Sequence, residues 1–364
     1  MKVGIITFHF VNNYGAVLQA YALQKYIKDE LKVDSYIIDY VNPFIKLTDA
    51  LRLLPISSNI REITSGICSF KDRISRMQKL AGFINRNTIL TKEYHNSFSL
   101  KIDPPSFDKY ICGSDQIWNP FITFGICKAY YLSFVNESAK KIAYAPSFGT
   151  YKCSFIIRQL CKKHIMSIAN ISSREKEGVE LISLITGKEC PQLIDPTLLL
   201  TKEQWHHIAK KPESIISDYI LVYIVQRHDE SIDEEIKQIK QRLNLSVVEI
   251  SRYSYARCGV VDSCLVNIGP EEYIGLFENA KYIVTDSHHG LIFSFIFDHP
   301  CHLIYGKQFP TRIMNMLNLL GIKTLYTDII GSSIEVFANQ ETAKSNIGKE
   351  IEKSKDYLCK AILG

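Results

Sequence analysis

The segment 282–294 places the tightest constraint on the fold. An apolar run, Tyr282-Ile283-Val284-Thr285, ends in Asp286 and Ser287; two histidines and Gly290 follow, and a second apolar run starts at Leu291. That order spells a buried strand, a tight turn and a helix start. The turn would set imidazoles and backbone N–H groups at the positive end of a helix dipole, where an anionic substrate is favoured. A plainer reading fits the spacing equally well. In it Asp286 or Ser287 caps the helix, and His288 and His289 are polar turn residues.

The same alternation of short β-rich runs with helical periodicity recurs along the 364 residues, which predicts an α/β fold with mainly parallel sheets. Strands are expected at 2–8, 35–40, 109–112 and 141–144, and again at 167–172, 192–194, 218–225, 246–250, 281–285 and 302–305. Helices are expected at 17–31, 231–243, 271–280, 291–297, 310–320 and 341–363. From 43 to 106 the pattern loosens into irregular helical stretches, read as an insertion beside the first sheet. The chain is long enough for two domains. They are placed at 1–165 and 166–340, with the helix 341–364 packing back on the first. Two successive units of this kind imply a cleft, with ligands bound beyond the carboxyl ends of the strands.

Charge narrows the partners. A net +5, with basic residues scattered apart from 71–79 and Lys140-Lys141, suits anionic small molecules or loose attraction to a membrane surface. It falls short of a nucleic-acid footprint, and no RNP or zinc-finger signature occurs. The ten cysteines form no CxxC pair and no zinc-spaced cluster, so no metal site is expected. Cys112 and Cys301 sit inside apolar strands as small core hydrophobes, and reduced thiols in a cytoplasmic protein are the favoured account. The start of the chain turns polar too quickly for a signal peptide, and the apolar run at 291–297 is short of the roughly 20 residues that span a bilayer.

No GxGxxG, Walker or GxSxG pattern occurs, which disfavours nicotinamide enzymes, P-loop NTPases and Ser-His-Asp hydrolases. What remains past the strand ends are glycine turns, helix N-termini and the cations Arg174, Arg227, Lys307 and Arg312. Together they suit a substrate carrying a phosphate and a carboxylate. Each arginine alone also fits a structural ion pair, Gly113-Ser114-Asp115-Gln116 also fits a plain turn, and Trp118 also fits the core.

Six segments, in order, resemble the polysaccharide pyruvyl transferase family. They are Asn13-Tyr14-Gly15-Ala16-Val17 with the run to Leu23, Gly113-Ser114-Asp115-Gln116 with Trp118 and Asn119, Tyr144-Ala145-Pro146-Ser147-Phe148-Gly149, Ser172-Ser173-Arg174-Glu175, Asp195-Pro196-Thr197 with Trp205, and Thr285-Asp286-Ser287-His288-His289-Gly290. The family's His-Gly pair maps onto His289-Gly290. His288 stands where phenylalanine or leucine is commoner, and Ser287 where an arginine sometimes occurs. The resemblance implies a fold like the two-Rossmann glycosyltransferases (GT-B-like), with acceptor on the first domain and donor on the second.

It also implies transfer of pyruvate from phosphoenolpyruvate, a co-substrate, to two hydroxyls of a sugar in a surface polysaccharide or its precursor. No other cofactor is called for. On this reading His289 and Asp115 are catalytic. Arg174, Arg227, Ser287, His288, Gly290, Lys307 and Arg312 bind the donor. Asn13, Tyr14, Gly15, Ser114, Gln116 and Trp118 bind the acceptor. A lipid-linked oligosaccharide acceptor would bring the protein to the inner membrane face. Two alternatives stay open: a glycosyltransferase with a nucleotide-sugar donor, and a non-catalytic protein of polysaccharide assembly.

Overall fold

The computed structural model describes residues 1–51, 64, 67–149, 154–215, 217–225, 230–251, 258–304, 311–322, 334–336 and 341–364. They form two compact α/β units. The first comprises Met1–Asp49, Gly82–Leu200 and Gly348–Gly364, and the second Ala50–Ala81 and Thr201–Ile347.

The first unit holds a parallel sheet in the order β2-β1-β3-β4, where β1 is Lys2–Ile6, β2 Asp34–Ile37, β3 Lys109–Cys112 and β4 Lys141–Ala143. Its central strands are buried along nearly their whole length, as parallel strands covered on both faces must be. The helix Tyr14–Asp29 follows β1 and is buried from Tyr14 to Gln24. Beyond β4, isolated parallel bridges join Ile142 to Asn170 and Ser173 to Gln192. The stretches 167–172 and 192–194, expected to open the second domain, are thus tied to the first sheet. The boundary accordingly falls after Leu200 rather than at 165. In the C-terminal helix Glu341–Leu363, Ser354 Oγ accepts from the Ile194 N–H at 3.2 Å and the Tyr357 hydroxyl donates to the Ala143 carbonyl at 3.0 Å.

The second unit holds a six-stranded sheet in the order β10-β9-β8-β5-β6-β7. Here β5 is Tyr219–Tyr223, β6 Ser246–Ile250, β7 Ser263–Leu265, β8 Tyr282–Thr285, β9 Cys301–Leu303 and β10 Ile334–Val336. Every pairing is parallel except β10 with β9. β7 and β10 were not expected from the sequence, although the equally short β4 and β9 were. The region 43–106 is not one insertion in the first domain: 50–81 belongs to the second unit, and the helix Phe70–Asn87 runs across the division in the chain. In the second unit Lys79 Nζ donates to the Asn267 carbonyl at 2.8 Å and to Glu272 at 2.9 Å. An aromatic cluster of Trp205, Tyr223, Tyr273, Phe277 and Phe293 backs β5 and β8.

Candidate functional site

The residues singled out from sequence fall into one group per unit, each just past the carboxyl ends of parallel strands. In the second unit the group begins where β8 stops. The Thr285 hydroxyl donates to the Tyr223 carbonyl at 2.6 Å and accepts the Ser287 N–H at 3.0 Å. Asp286 Oδ1 accepts the Val225 N–H at 2.7 Å, which ties the loop after β5 to the loop after β8. Ser287 is the N-cap of the helix His288–Ile296, its Oγ accepting from the Gly290 N–H at 3.3 Å. The helix therefore begins three residues earlier than expected. His288 and His289 occupy its first turn instead of the preceding loop.

Gly290 is required by close approach. A Cβ there would overlap the Thr285 Oγ1 and lie 3.0 Å from the threonine Cβ and Cγ2. The imidazoles of His288 and His289 meet edge to face, with ring centroids 5.3 Å apart. They are 9% and 7% exposed. That burial gives the first turn a water-poor setting, in which a contact to an anion is electrostatically stronger than at the surface. The helix is fixed from behind by Phe293, whose ring packs 5.1 Å from Trp205. Arg312 lies in the first turn of the helix Thr311–Leu320, which follows β9 in the chain and packs against His288–Ile296. Arg227 and Lys307 lie outside the described residues.

The second unit also carries a cation that the sequence reading missed. Arg76, on the helix Phe70–Asn87, is buried, with Nη1 3.4 Å from the Ser251 carbonyl just past β6. Its place among Lys71, Arg73 and Lys79 in a segment of weak periodicity carried no signal that it would be buried beside this sheet.

In the first unit the group surrounds Arg174, which is fully enclosed. Its Nη1 donates to Asp195 at 2.7 Å and to Ser114 Oγ at 3.3 Å, its Nε donates to Glu175 at 3.1 Å, and its Nη2 lies 3.9 Å from Asp115. Burial pulls the arginine's pKa down, but Glu175, Asp195 and Asp115 together outweigh it and raise the value. Arg174, expected among the donor cations of the second domain, thus lies in the first unit with its charge outnumbered by carboxylates. Added phosphate there would meet net negative charge.

Asp115 has a left-handed backbone, φ +71°, and so does Ala145 at +50° on the neighbouring strand end. Aspartate tolerates that conformation, whereas alanine is strained by about 1–2 kcal/mol. Such strain persists only where the surroundings impose it. Here the Ser147 N–H donates to the Asp115 carbonyl at 2.9 Å and the Ala145 N–H to Ser172 Oγ at 2.9 Å. Asp115 Oδ1 accepts the Gln116 N–H at 2.8 Å, and Gln116 Oε1 accepts from Asn119 at 2.9 Å.

Asn13 is an exposed N-cap, accepting from the Ala16 N–H at 3.2 Å, with Tyr14 and Gly15 buried in the first helical turn. Ser114 is buried and serves Arg174 and Thr7, whose hydroxyl donates to its carbonyl at 2.8 Å. Trp118, expected as an acceptor contact, is a core residue. It stacks on Tyr131 at 5.0 Å and donates its indole N–H to the Tyr130 carbonyl at 3.0 Å, which leaves no face for a sugar. A further pair joins the buried His9, through Nε2, to the half-buried Asp39 at 2.9 Å, with His9 Nδ1 3.1 Å from the Thr7 carbonyl. Among the described residues no cluster of three or more His, Cys, Asp or Glu is placed to hold a metal ion.

A model of the polysaccharide pyruvyl transferase family matches residues 13–307. No curated protein is matched. Among solved structures the chain is similar to Arabidopsis thaliana UGT89C1 complexed with UDP-L-rhamnose, at 12% identity over 98% of this chain and 94% of that one, TM-score 0.46. It is also similar to Methanocaldococcus jannaschii UDP-GlcNAc 2-epimerase in complex with UDP-GlcNAc and UDP, at 14% identity over 96% and 93%, TM-score 0.43. A third is E. coli heptosyltransferase WaaC with ADP, at 13% identity over 97% and 100%, TM-score 0.42.

Proposed function

The chain belongs to the polysaccharide pyruvyl transferase family and is a transferase; from that premise we propose that it transfers pyruvate from phosphoenolpyruvate, as a cyclic ketal, onto two hydroxyls of one sugar in a polysaccharide or a lipid-linked precursor. The observation that carries this reading is the first turn after β8. There a capped helix N-terminus, two buried imidazoles and a glycine held against Thr285 offer an anion a preorganised seat.

In the reaction the methylene carbon of the enol phosphate takes a proton and becomes the ketal methyl. The neighbouring carbon acquires oxocarbenium character, a sugar hydroxyl adds there, and phosphate leaves. The second hydroxyl then closes the ring, and both hydroxyl protons are released. His289 is assigned as proton donor or phosphate contact. Ser287, His288 and the Gly290 N–H belong to the same turn, with Arg312 and Arg76 supplying positive charge in the second unit. Asp115 is assigned as the base that receives a hydroxyl proton. Arg174 holds Asp115 and the surrounding loops in place, and Asn13, Tyr14, Gly15 and Gln116 belong to the acceptor side. Phosphoenolpyruvate is the sole co-substrate, and the reaction is placed in the cytoplasm.

The test compares phosphoenolpyruvate with a panel of nucleotide sugars for their effect on the melting temperature, followed by mass spectrometry of the glycan product. A ligand at a hundred times its Kd stabilises by about 2.7 kcal/mol, enough to read in a melt. Phosphoenolpyruvate should raise the melting temperature, and the product should gain one carboxyethylidene group. Stabilisation by a nucleotide sugar alone would replace this reading with glycosyl transfer. His289→Asn should lower turnover about 10²–10⁴-fold with the melt in the absence of ligand unchanged. Full turnover in that variant would remove His289 from the chemistry.

A further inference from the structure

The helix Phe155–Met166 in the first unit has an inner face that is fully accounted for. Cys161 and Ile165 are buried, the Tyr131 hydroxyl meets the Cys161 Sγ at 3.5 Å, and Ser133 Oγ lies 2.9 Å from His164 Nδ1. Its outer face departs from what water favours. Phe155 is 72% exposed, Ile156 70% and Leu160 55%, and Lys162 and Lys163 stand exposed among them. Helices of soluble domains normally turn such bulk inward, and clustered exposed apolar residues mark an interaction surface.

The charge on this helix is of one sign. Its twelve residues include Arg158, Lys162 and Lys163 and no carboxylate. His164 senses the same field: its pKa is lowered first by burial and then by Lys128, Lys163 and Lys141.

We propose that this face docks the protein on a bilayer carrying anionic lipid, with the helix lying in the plane of the interface. Phe155, Ile156 and Leu160 then enter the acyl boundary while Lys162 and Lys163 meet the headgroup phosphates and carboxylates. Large apolar side chains interleaved with lysine and free of acidic residues are the composition of interfacial helices. A second copy of the chain is a poorer occupant, because a twofold contact would bring Lys162 and Lys163 against their own equivalents. The inference does not need the donor assignment, since binding to lipid is read without turnover. If the acceptor is lipid-linked, the surface also brings enzyme and acceptor into one plane.

Flotation of the full chain with vesicles tests it, using phosphatidylcholine alone and phosphatidylcholine with phosphatidylserine. The protein should float with the anionic vesicles and stay behind with the neutral ones, and raised salt should release it. Lys162→Ala with Lys163→Ala should weaken partitioning by roughly 20–30-fold, at about fivefold per lysine. Phe155→Ser, Ile156→Ser and Leu160→Ser together should weaken it about tenfold or more. These residues are exposed, so both variants should melt with the parent. Failure of the parent to float with anionic vesicles at low salt would overturn the proposal, as would flotation of the triple serine variant equal to the parent. A concentration-dependent dimer that the serine variant abolishes, seen by sedimentation velocity without vesicle binding, would assign the face to a second copy instead.

Discussion

Gly290→Ala should destabilise the second unit even though alanine is the better helix former. The substitution gains up to about 1 kcal/mol of helix propensity at an interior position. Against that, the new methyl overlaps the Thr285 Oγ1 and comes within 3.0 Å of two further threonine atoms. Overpacking of this kind costs about 1–3 kcal/mol. The displaced hydroxyl also holds the Tyr223 carbonyl and the Ser287 N–H, each bond being worth about 1 kcal/mol. The net loss is about 2–4 kcal/mol, read as a melting temperature lowered by roughly 2–4 °C per kcal/mol for a unit of this size. Thr285→Ala removes the overlapping Oγ1 and the Cγ2, so it should be destabilising alone yet partly rescue Gly290→Ala. A double-mutant cycle by urea denaturation should return a coupling of about 1–3 kcal/mol in the rescuing direction. If Gly290→Ala melts at or above the parent, or if the two changes add, helix and strand do not approach as described. The placement of Ser287 and His289 would then lose its physical cause.

Three other expectations follow from buried charge and burial alone. Arg174→Gln leaves Asp115, Glu175 and Asp195 without their cation and should cost about 3–5 kcal/mol in urea, with partial recovery on adding Asp195→Asn; an unchanged melt with lost activity would make Arg174 a ligand contact instead. Burial pushes the thiols of Cys190 and Cys264 up to about 11 and those of Cys258 and Cys301 up to about 12. In native protein at pH 8, iodoacetamide should therefore label the exposed Cys68 and Cys359 first, read by peptide mass spectrometry. Burial also holds His164 and His299 below the ordinary value of 6.5, so the unfolded chain takes up protons first as pH falls. Their contribution to stability is complete above pH 6.5 and is lost below it, down to the folded values. The melting temperature should drop between pH 7 and 5, and His299→Gln should flatten that slope.

The strands were legible where apolar residues, many of them β-branched or aromatic, crowd a run of four or five positions. β3 and β6 lie where the pattern puts them, and β5 and β8 within two residues of it. β7 and β10 were not legible, although the equally short β4 and β9 were; at this length pairing is decided by neighbours distant in sequence. The same limit explains Arg76, whose burial depends on which unit its helix joins. Helix onset at His288 was hidden because two histidines read as turn residues, and only the Ser287 cap bond fixes the start. By sequence Trp118 fits both the core and a sugar contact, and its stacking partner Tyr131 decides for core. For Arg174 the residue was recognised but its role was not, because the carboxylates around it come from three separate segments.

The two groups differ in the sign of their electrostatics, which bears on how the chemistry divides. Around Arg174 the carboxylates exceed the cation, and burial makes that excess costly unless a proton or a donor group is taken up. Such a setting favours a group that accepts a proton from a hydroxyl over one that grips phosphate. At the first turn after β8 the helix N-terminus presents partial positive charge, and the nearby carboxylate of Asp286 is engaged by the Val225 N–H. That setting favours the anion. On this local charge we propose that acceptor chemistry belongs to the first unit and donor chemistry to the second. That division makes a separable demand: Asp115→Asn, which keeps the tolerance for φ +71°, should lower turnover without weakening phosphoenolpyruvate binding. Arg76→Gln should do the reverse, raising KM about tenfold with kcat little changed, as loss of one charge-assisted contact predicts. Equal effects of both variants on binding and turnover would sink the division.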